Sequence, residues 1–180
     1  TGNDDSDSLY GNAGDDQIAG GAGNDYISGG NDNDVIAGGD GSDYLYGDAG
    51  DDQIDGGSGT DTLEGGDGND MLVGGDDSDF LAGQSGDDQI DGGGADDVIY
   101  GGAGNDQVDG GSGTDEIDYS GFSSVTVDLS THTATDGFGS VDSIVNVETV
   151  LGSEHSDLLV GDPGANVLSG LAGNDQIDGG

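Results

Sequence analysis

The chain contains no lysine, arginine, cysteine or tryptophan, and only one proline and one methionine. Without Lys or Arg, none of its forty Asp and Glu side chains can be neutralised by a protein cation, and the formal net charge is −40. An anion of this size repels nucleic acid and acidic membranes, so the expected partners are cations, with no nucleic acid among them. Without cysteine, no disulfide staples the fold. No apolar run approaches a transmembrane length, and no membrane insertion is expected. Apolar residues make up 29% of the chain and aromatic ones 5%. Low hydrophobicity with high net charge is the composition of a disordered chain, because self-repulsion and chain entropy outweigh the apolar burial on offer. Such a chain folds only if positive charge arrives from outside the sequence.

What the chain does have is glycine, 42 residues of it, in strict phase. Laid out in nines from Gly2, residues 2–118 form thirteen lines. Position one is Gly and position six Asp in every line, and position eight is always Leu, Ile or Val. Positions two and four are mostly Gly, with Asn, Asp, Gln or one Ala (Ala95) elsewhere. Asn and Asp tolerate positive φ best among non-glycine residues, which marks these positions as tight-turn sites. Each line reads as a six-residue turn and then a three-residue strand whose middle residue points inward. One such strand cannot bury its single aliphatic residue, whereas stacked copies about 4.8 Å apart can. A glycine period of nine excludes collagen, and the lack of helical periodicity around the acidic loops argues against EF-hands.

The line G-G-x-G-x-D-x-U-x, as in GGAGNDYIS (20–28) and GGDGNDMLV (65–73), resembles the hemolysin-type calcium-binding nonapeptide of the RTX (repeats-in-toxin) proteins. The resemblance covers 2–118 and resumes at 152–178. It implies an all-β fold: a right-handed parallel β-roll, or β-solenoid, with two nonapeptides (18 residues) per coil and calcium between turns of neighbouring coils. It also implies type I secretion from a Gram-negative bacterium, hence a secreted, extracellular or cell-surface location. The position-six carboxylates implied as calcium ligands are Asp7, Asp16, Asp25, Asp34, Asp43, Asp52, Asp61, Asp70, Asp79, Asp88, Asp97, Asp106 and Asp115. If lines n and n+2 stack, their turns enclose about eleven Ca2+ sites in 2–118. About +22 of charge then offsets over half of the −40.

A longer repeat lies inside the first. Segments 11–46, 47–82 and 83–118 each open with G-x-[AS]-G-D-D-Q-I, a unit of four lines. Growth by whole coils keeps each line on its own face. Outward positions seven and nine differ between faces: odd lines carry Tyr10, Tyr26, Tyr44, Tyr46, Phe80 and Tyr100, and even lines carry mainly Gln and Asp. The aromatic row reads either as a cross-strand ladder that stabilises a thin sheet or as a surface for self-association, a partner domain or a glycan.

At Tyr119 the nonapeptide stops. VTVDL (125–129) and SIVNVETVL (143–151) read as strands, with TDGFGS (135–140) as a turn between them. Residues 119–151 resemble the segment that commonly follows repeat blocks in this family, and the reading gives them a capping role over the open end of the roll. Three further lines occupy 152–178. There Asp157 and Asp175 match the ligand position, while Asn166 replaces Asp in the middle line. The chain starts and stops at repeat edges, which suggests a piece of a longer protein. His132 and His155 read as surface residues, no serine lies in a nucleophile elbow, and no catalytic activity is expected. Two functions remain open: a calcium-driven folding and secretion module, or a structural or adhesive surface-layer, biofilm or adhesin component.

Overall fold

A computed structural model describes residues 1–137 and 139–180. Phe138, in the expected turn 135–140, lies outside the described residues. The described chain is all β, and its two sheets wind into a solenoid. Strands of the odd lines form one sheet of nine, and strands of the even lines form the facing sheet of eleven. Neighbours in the repeat block are parallel, in a register of eighteen residues: Leu9 faces Ile27, Ile27 faces Leu45, and Ile18 faces Ile36. One coil is therefore two lines, as expected.

The core follows from position eight. Ile27, Ile36, Leu45, Ile54, Leu63, Leu72 and their successors to Ile117 are all buried between the sheets. Leu9 and Ile18, in the first coil, pack against this column but are only partly buried. Each aliphatic residue sits on the equivalent residue of the next coil, so a strand too short to fold alone is buried by its neighbours.

The strands are longer than the expected three residues. In the 2–118 block ten of thirteen span six, as in Tyr26–Asn31 and Tyr44–Ala49. The register runs on beyond position nine: Gly30 faces Asp48 and Asn31 faces Ala49. Main-chain pairing between coils carries through the first half of what reads as a turn, because stacked turns of identical shape can pair as well as strands do.

Positive φ falls where the substitution pattern puts it. Position two includes Asn12 (φ 76), Asp48 (φ 74) and Gln84 (φ 76), and position four includes Asp32 (φ 73) and Ala95 (φ 71). Position-one glycines need space instead. A Cβ on Gly38 would lie 2.3 Å from Asp43 Oδ2 and 2.7 Å from the Gly56 carbonyl oxygen of the next coil.

Residues 119–151 join two stretches of roll. In the odd sheet, Thr149–Leu151 pairs with Glu116–Asp118 on one side and with Val167–Ser169 on the other. In the even sheet, Val141–Val145 continues from Gln107–Asp109. Thr133–Thr135 and Thr126–Asp128 then follow as an antiparallel pair before Leu158–Val160. These two strands have no counterpart opposite, so the even sheet is longer by about 10 Å there. The core takes in Tyr119, Val125, Val127, Leu129 and Ala134 at this place, and the Tyr119 and Phe122 rings meet edge to face at 5.6 Å. Residues 119–151 thus lie between the coils of 2–118 and those of 152–178.

Candidate metal sites

The position-six aspartates begin where the turn enters the strand, and each carboxylate reaches back toward the preceding coil. Asp25 Oδ1 accepts the Asp7 main-chain N–H at 2.7 Å, and Asp43 Oδ1 accepts that of Asp25 at 2.8 Å. The same bond recurs at 2.7–3.0 Å for each of these aspartates up to Asp115. From Asp25 to Asp115, one oxygen of each carboxylate therefore belongs to the ladder that holds coil to coil.

The other oxygen has no such partner. Oδ2 of Asp16, Asp25, Asp34, Asp43, Asp52 and Asp61 is buried and receives no hydrogen bond, and the same holds for Asp70, Asp79, Asp88, Asp97, Asp106 and Asp115. A buried carboxylate oxygen left unpaired is costly, and a chain without Lys or Arg has no cation to send. The space around Oδ2 is walled by main-chain oxygen. The position-one glycine beside it leaves room that a Cβ would fill, shared with the position-one carbonyl of the next coil. Position-two and position-four carbonyls also face the next coil: a Cβ on Gly39 would sit 2.1 Å from Gly21 O, and one on Gly41 would sit 2.1 Å from Gly23 O. Carboxylate and carbonyl oxygens around a flexible turn are the donor set of a hard divalent cation, and of calcium before magnesium. The residues present fit calcium. Among the described residues no three His, Cys, Asp or Glu side chains cluster as a metal site, so a cation here depends on main-chain oxygen as much as on carboxylates.

Electrostatics carry the same message. Burial pushes Asp61, Asp70, Asp97 and Asp106 up to about 6, and Asp79 and Asp88 up to about 7. The main-chain donors pull the other way, and neighbouring carboxylates add to the rise. Charge in these turns is under strain until something neutralises it.

Family models of the RTX calcium-binding nonapeptide repeat match residues 1–36, 28–63, 55–90, 64–98, 82–117 and 151–180. The chain belongs to this family. It is a calcium-binding RTX β-roll, and the stretch between the matched spans is the one that carries the inserted strand pair. No curated protein matches it.

Two of the expected site residues of this RTX chain, Asp7 and Asp157, differ from the rest. Asp7 Oδ2, at the free end, accepts two bonds from Asn3 at 3.0 Å. Asp157 accepts the Ser153 main-chain N–H and hydroxyl at 2.7 and 2.8 Å, and its Oδ1 also takes the Val125 N–H. Asp175 Oδ1 keeps the ladder bond, to the Asp157 N–H at 3.1 Å. Asn166 stands at position six of its line, with Oδ1 accepting the Asp162 N–H at 2.8 Å.

Two carboxylates outside the nonapeptides take the same place. Asp142 Oδ1 accepts the Asp106 N–H at 3.2 Å, and Glu148 Oε2 accepts the Asp115 N–H at 3.0 Å. Asp142 Oδ2 differs from the orphaned set, because the buried Tyr119 hydroxyl donates to it at 3.1 Å. A signal for both exists in the sequence. Asp142-Ser143-Ile144 and Glu148-Thr149-Val150 each keep acid, any residue, aliphatic, the second half of the nonapeptide without its glycines. His132 and His155 are exposed.

Proposed function

We propose that this chain is the calcium-driven folding and secretion module of a type I-secreted protein, working outside the cell. The observation that carries the reading is the series of twelve buried, unpaired Asp Oδ2 atoms, from Asp16 to Asp115 at every ninth residue. The ligands proposed are the Asp set from Asp7 to Asp115, with Asp157 and Asp175 in 152–178, each acting with turn carbonyls. The first coil and the last lines offer fewer free carboxylate oxygens, so occupancy centres on about eleven gaps in 2–118. Sites of extracellular type bind at about 10⁻⁴–10⁻³ M, so the chain stays unfolded where calcium is scarce and folds where it is plentiful.

Far-UV circular dichroism with calcium, with magnesium and with chelator is the test. Calcium alone is expected to produce the β spectrum, since magnesium demands near-ideal octahedral geometry and sheds water reluctantly. A β spectrum that survives excess chelator at neutral pH would overturn the reading.

A second reading, a structural or adhesive component of a surface layer, biofilm matrix or adhesin, draws on the aromatic face. The Tyr10 and Tyr26 rings lie 5.8 Å apart, those of Tyr26 and Tyr46 5.4 Å, and those of Phe80 and Tyr100 5.5 Å. Tyr10, Tyr26 and Tyr44 stay exposed. A ladder needed only for stability has little reason to leave its rings in water.

A further inference from the structure

The odd face has a chemistry found nowhere else on the molecule. At the outward positions seven and nine of its lines, every residue from Ser8 to Thr62 carries a hydroxyl: four tyrosines (Tyr10, Tyr26, Tyr44, Tyr46), two serines and one threonine. In a chain with forty carboxylates, no charged side chain stands at these positions. The rings do not stack straight along the roll. Tyr26 faces Tyr44 in register, yet its ring meets Tyr46 diagonally, as Tyr10 meets Tyr26. The result is a zigzag of tilted rings, with Tyr10, Tyr26 and Tyr44 exposed and Tyr46 half-buried.

The zigzag runs into two depressions, the second of them where Ala82 is small beside Phe80 and Tyr100. The first, of about 280 Å³, is lined by Tyr46, Asp48, Glu64, Asp67 and Gln84. The second, of about 250 Å³, is mostly apolar and lies against Phe80 and Tyr100. Between them Gln84 Nε2 donates to Glu64 Oε2 at 2.7 Å, and Ser28 Oγ donates to Asp48 Oδ2 at the border of the first. An aromatic wall beside acceptor-only carboxylates and an amide matches a ligand with flat C–H faces and many hydroxyl donors.

We propose that the odd face, from Tyr10 to Tyr100, binds a neutral polysaccharide strand lying along the roll axis. The track spans five coil spacings, about 24 Å, long enough for several sugar rings. Pyranose faces would pack on Tyr26, Tyr46 and Phe80, and sugar hydroxyls would donate to Asp48 and Glu64. Charge selects the occupant. An anionic glycan meets the field of the whole molecule. A second copy brings another body of −40, still roughly −18 after eleven calcium ions, against a face with nothing positive to offset it. A neutral glycan meets no such barrier. The proposal deepens the adhesive reading and needs the roll folded.

The test uses the full chain with calcium, after circular dichroism has established folding. Cellohexaose, laminarihexaose, maltohexaose and a hexauronate are titrated in turn while tyrosine ring resonances are followed by NMR. At least one neutral hexasaccharide is expected to shift Tyr10, Tyr26 and Tyr46 and leave the buried Tyr119 in place; the hexauronate is expected to shift none. Tyr26→Ser with Tyr46→Ser should weaken binding on the order of tenfold or more. If that variant does not fold, the ring shifts of the unmodified protein decide alone. A folded roll that no neutral hexasaccharide shifts, or that the hexauronate shifts equally, overturns the proposal. So do ring shifts that track protein concentration without sugar, which would give the face to a second copy. A chain that calcium leaves unfolded counts against both this proposal and the calcium reading.

Discussion

Asp43 Oδ1 lies 2.8 Å from the main-chain nitrogen of Asp25, while Oδ2 of the same carboxylate is buried and accepts no hydrogen bond. The two oxygens have separate tasks. One ties its coil to the coil before it, and the other faces a turn walled by carbonyl oxygen. If calcium binds at these oxygens as proposed, one side chain from Asp25 to Asp115 serves both ladder and cation site, and coil stacking is coupled to calcium binding.

Asp61→Ala is therefore expected to cost more than one site. It removes the acceptor of the Asp43 N–H at 2.8 Å, a buried loss of about 1–3 kcal/mol, and it opens the coil interface its neighbours share. Calorimetry should show a fall in calcium stoichiometry of more than one ion and a lower cooperativity. A loss of one independent, equal site would refute the coupling.

Gly56, between stacked coils, and Gly14, with no coil stacked on its open side in the structure, should respond differently to alanine. In Gly56→Ala the new Cβ would sit 2.5 Å from Asp61 Oδ2 and 2.5 Å from Gly74 O, inside the cation turn. A loss of about 3 kcal/mol, with weaker calcium binding, is expected. At Gly14 (φ 99) a Cβ meets nothing within 4 Å, and Ala95 already occupies an equivalent position at φ 71. Gly14→Ala should cost only the backbone strain, about 1 kcal/mol. Calcium-dependent melting of the two variants makes the comparison.

Acid should partly replace calcium. The buried aspartates from Asp61 to Asp106 are held at about 6 to 7 by burial, well above their ordinary value of 3.8. A carboxyl whose pKa rises on folding binds its proton more tightly in the folded chain. Its contribution is complete below about 4 and is lost as pH rises through about 6 to 7. In chelator, β signal should grow as pH falls through that window. With calcium present, the folding midpoint should move to higher calcium as protons compete. A chelated chain with the same spectrum at pH 8 and pH 5 would contradict this.

Tyr119→Phe should destabilise the join and leave the repeats alone. The hydroxyl is the donor to Asp142 Oδ2, and burial already holds Asp142 at about 7. Losing the donor inside the core costs about 1–3 kcal/mol. Hydrogen exchange should quicken across Val141–Val145 and Thr149–Leu151 while Tyr26–Asn31 keeps its protection.

Much of this molecule was legible because its order is periodic. Gly at one, Asp at six and an aliphatic residue at eight, repeated thirteen times, point to stacked repeats with a column of buried aliphatics, and the resemblance to the RTX repeat implied parallel pairing and two lines to a coil. Asn and Asp in place of Gly marked the positive-φ positions, since they tolerate the left-handed region best among non-glycine residues. The separation of aromatic from Gln-bearing lines fixed which side chains share a face, because side chains alternate in and out along each strand.

Other features depend on atoms eighteen or more residues apart, and only the tertiary structure decided them. The strands are six residues long because stacked turns pair with each other. Position-one glycine is fixed by the carboxylate folded against it, a matter of space that no local pattern reveals. The division of labour between Oδ1 and Oδ2 exists only once the preceding coil supplies its N–H. In 119–151 the glycine rhythm is lost, so Asp142 and Glu148 gave little sign of standing in the Asp106 and Asp115 columns. Nor could the sequence show that two extra strands lengthen one sheet, since Thr126–Asp128 and Thr133–Thr135 owe their places to partners on either side of the interruption.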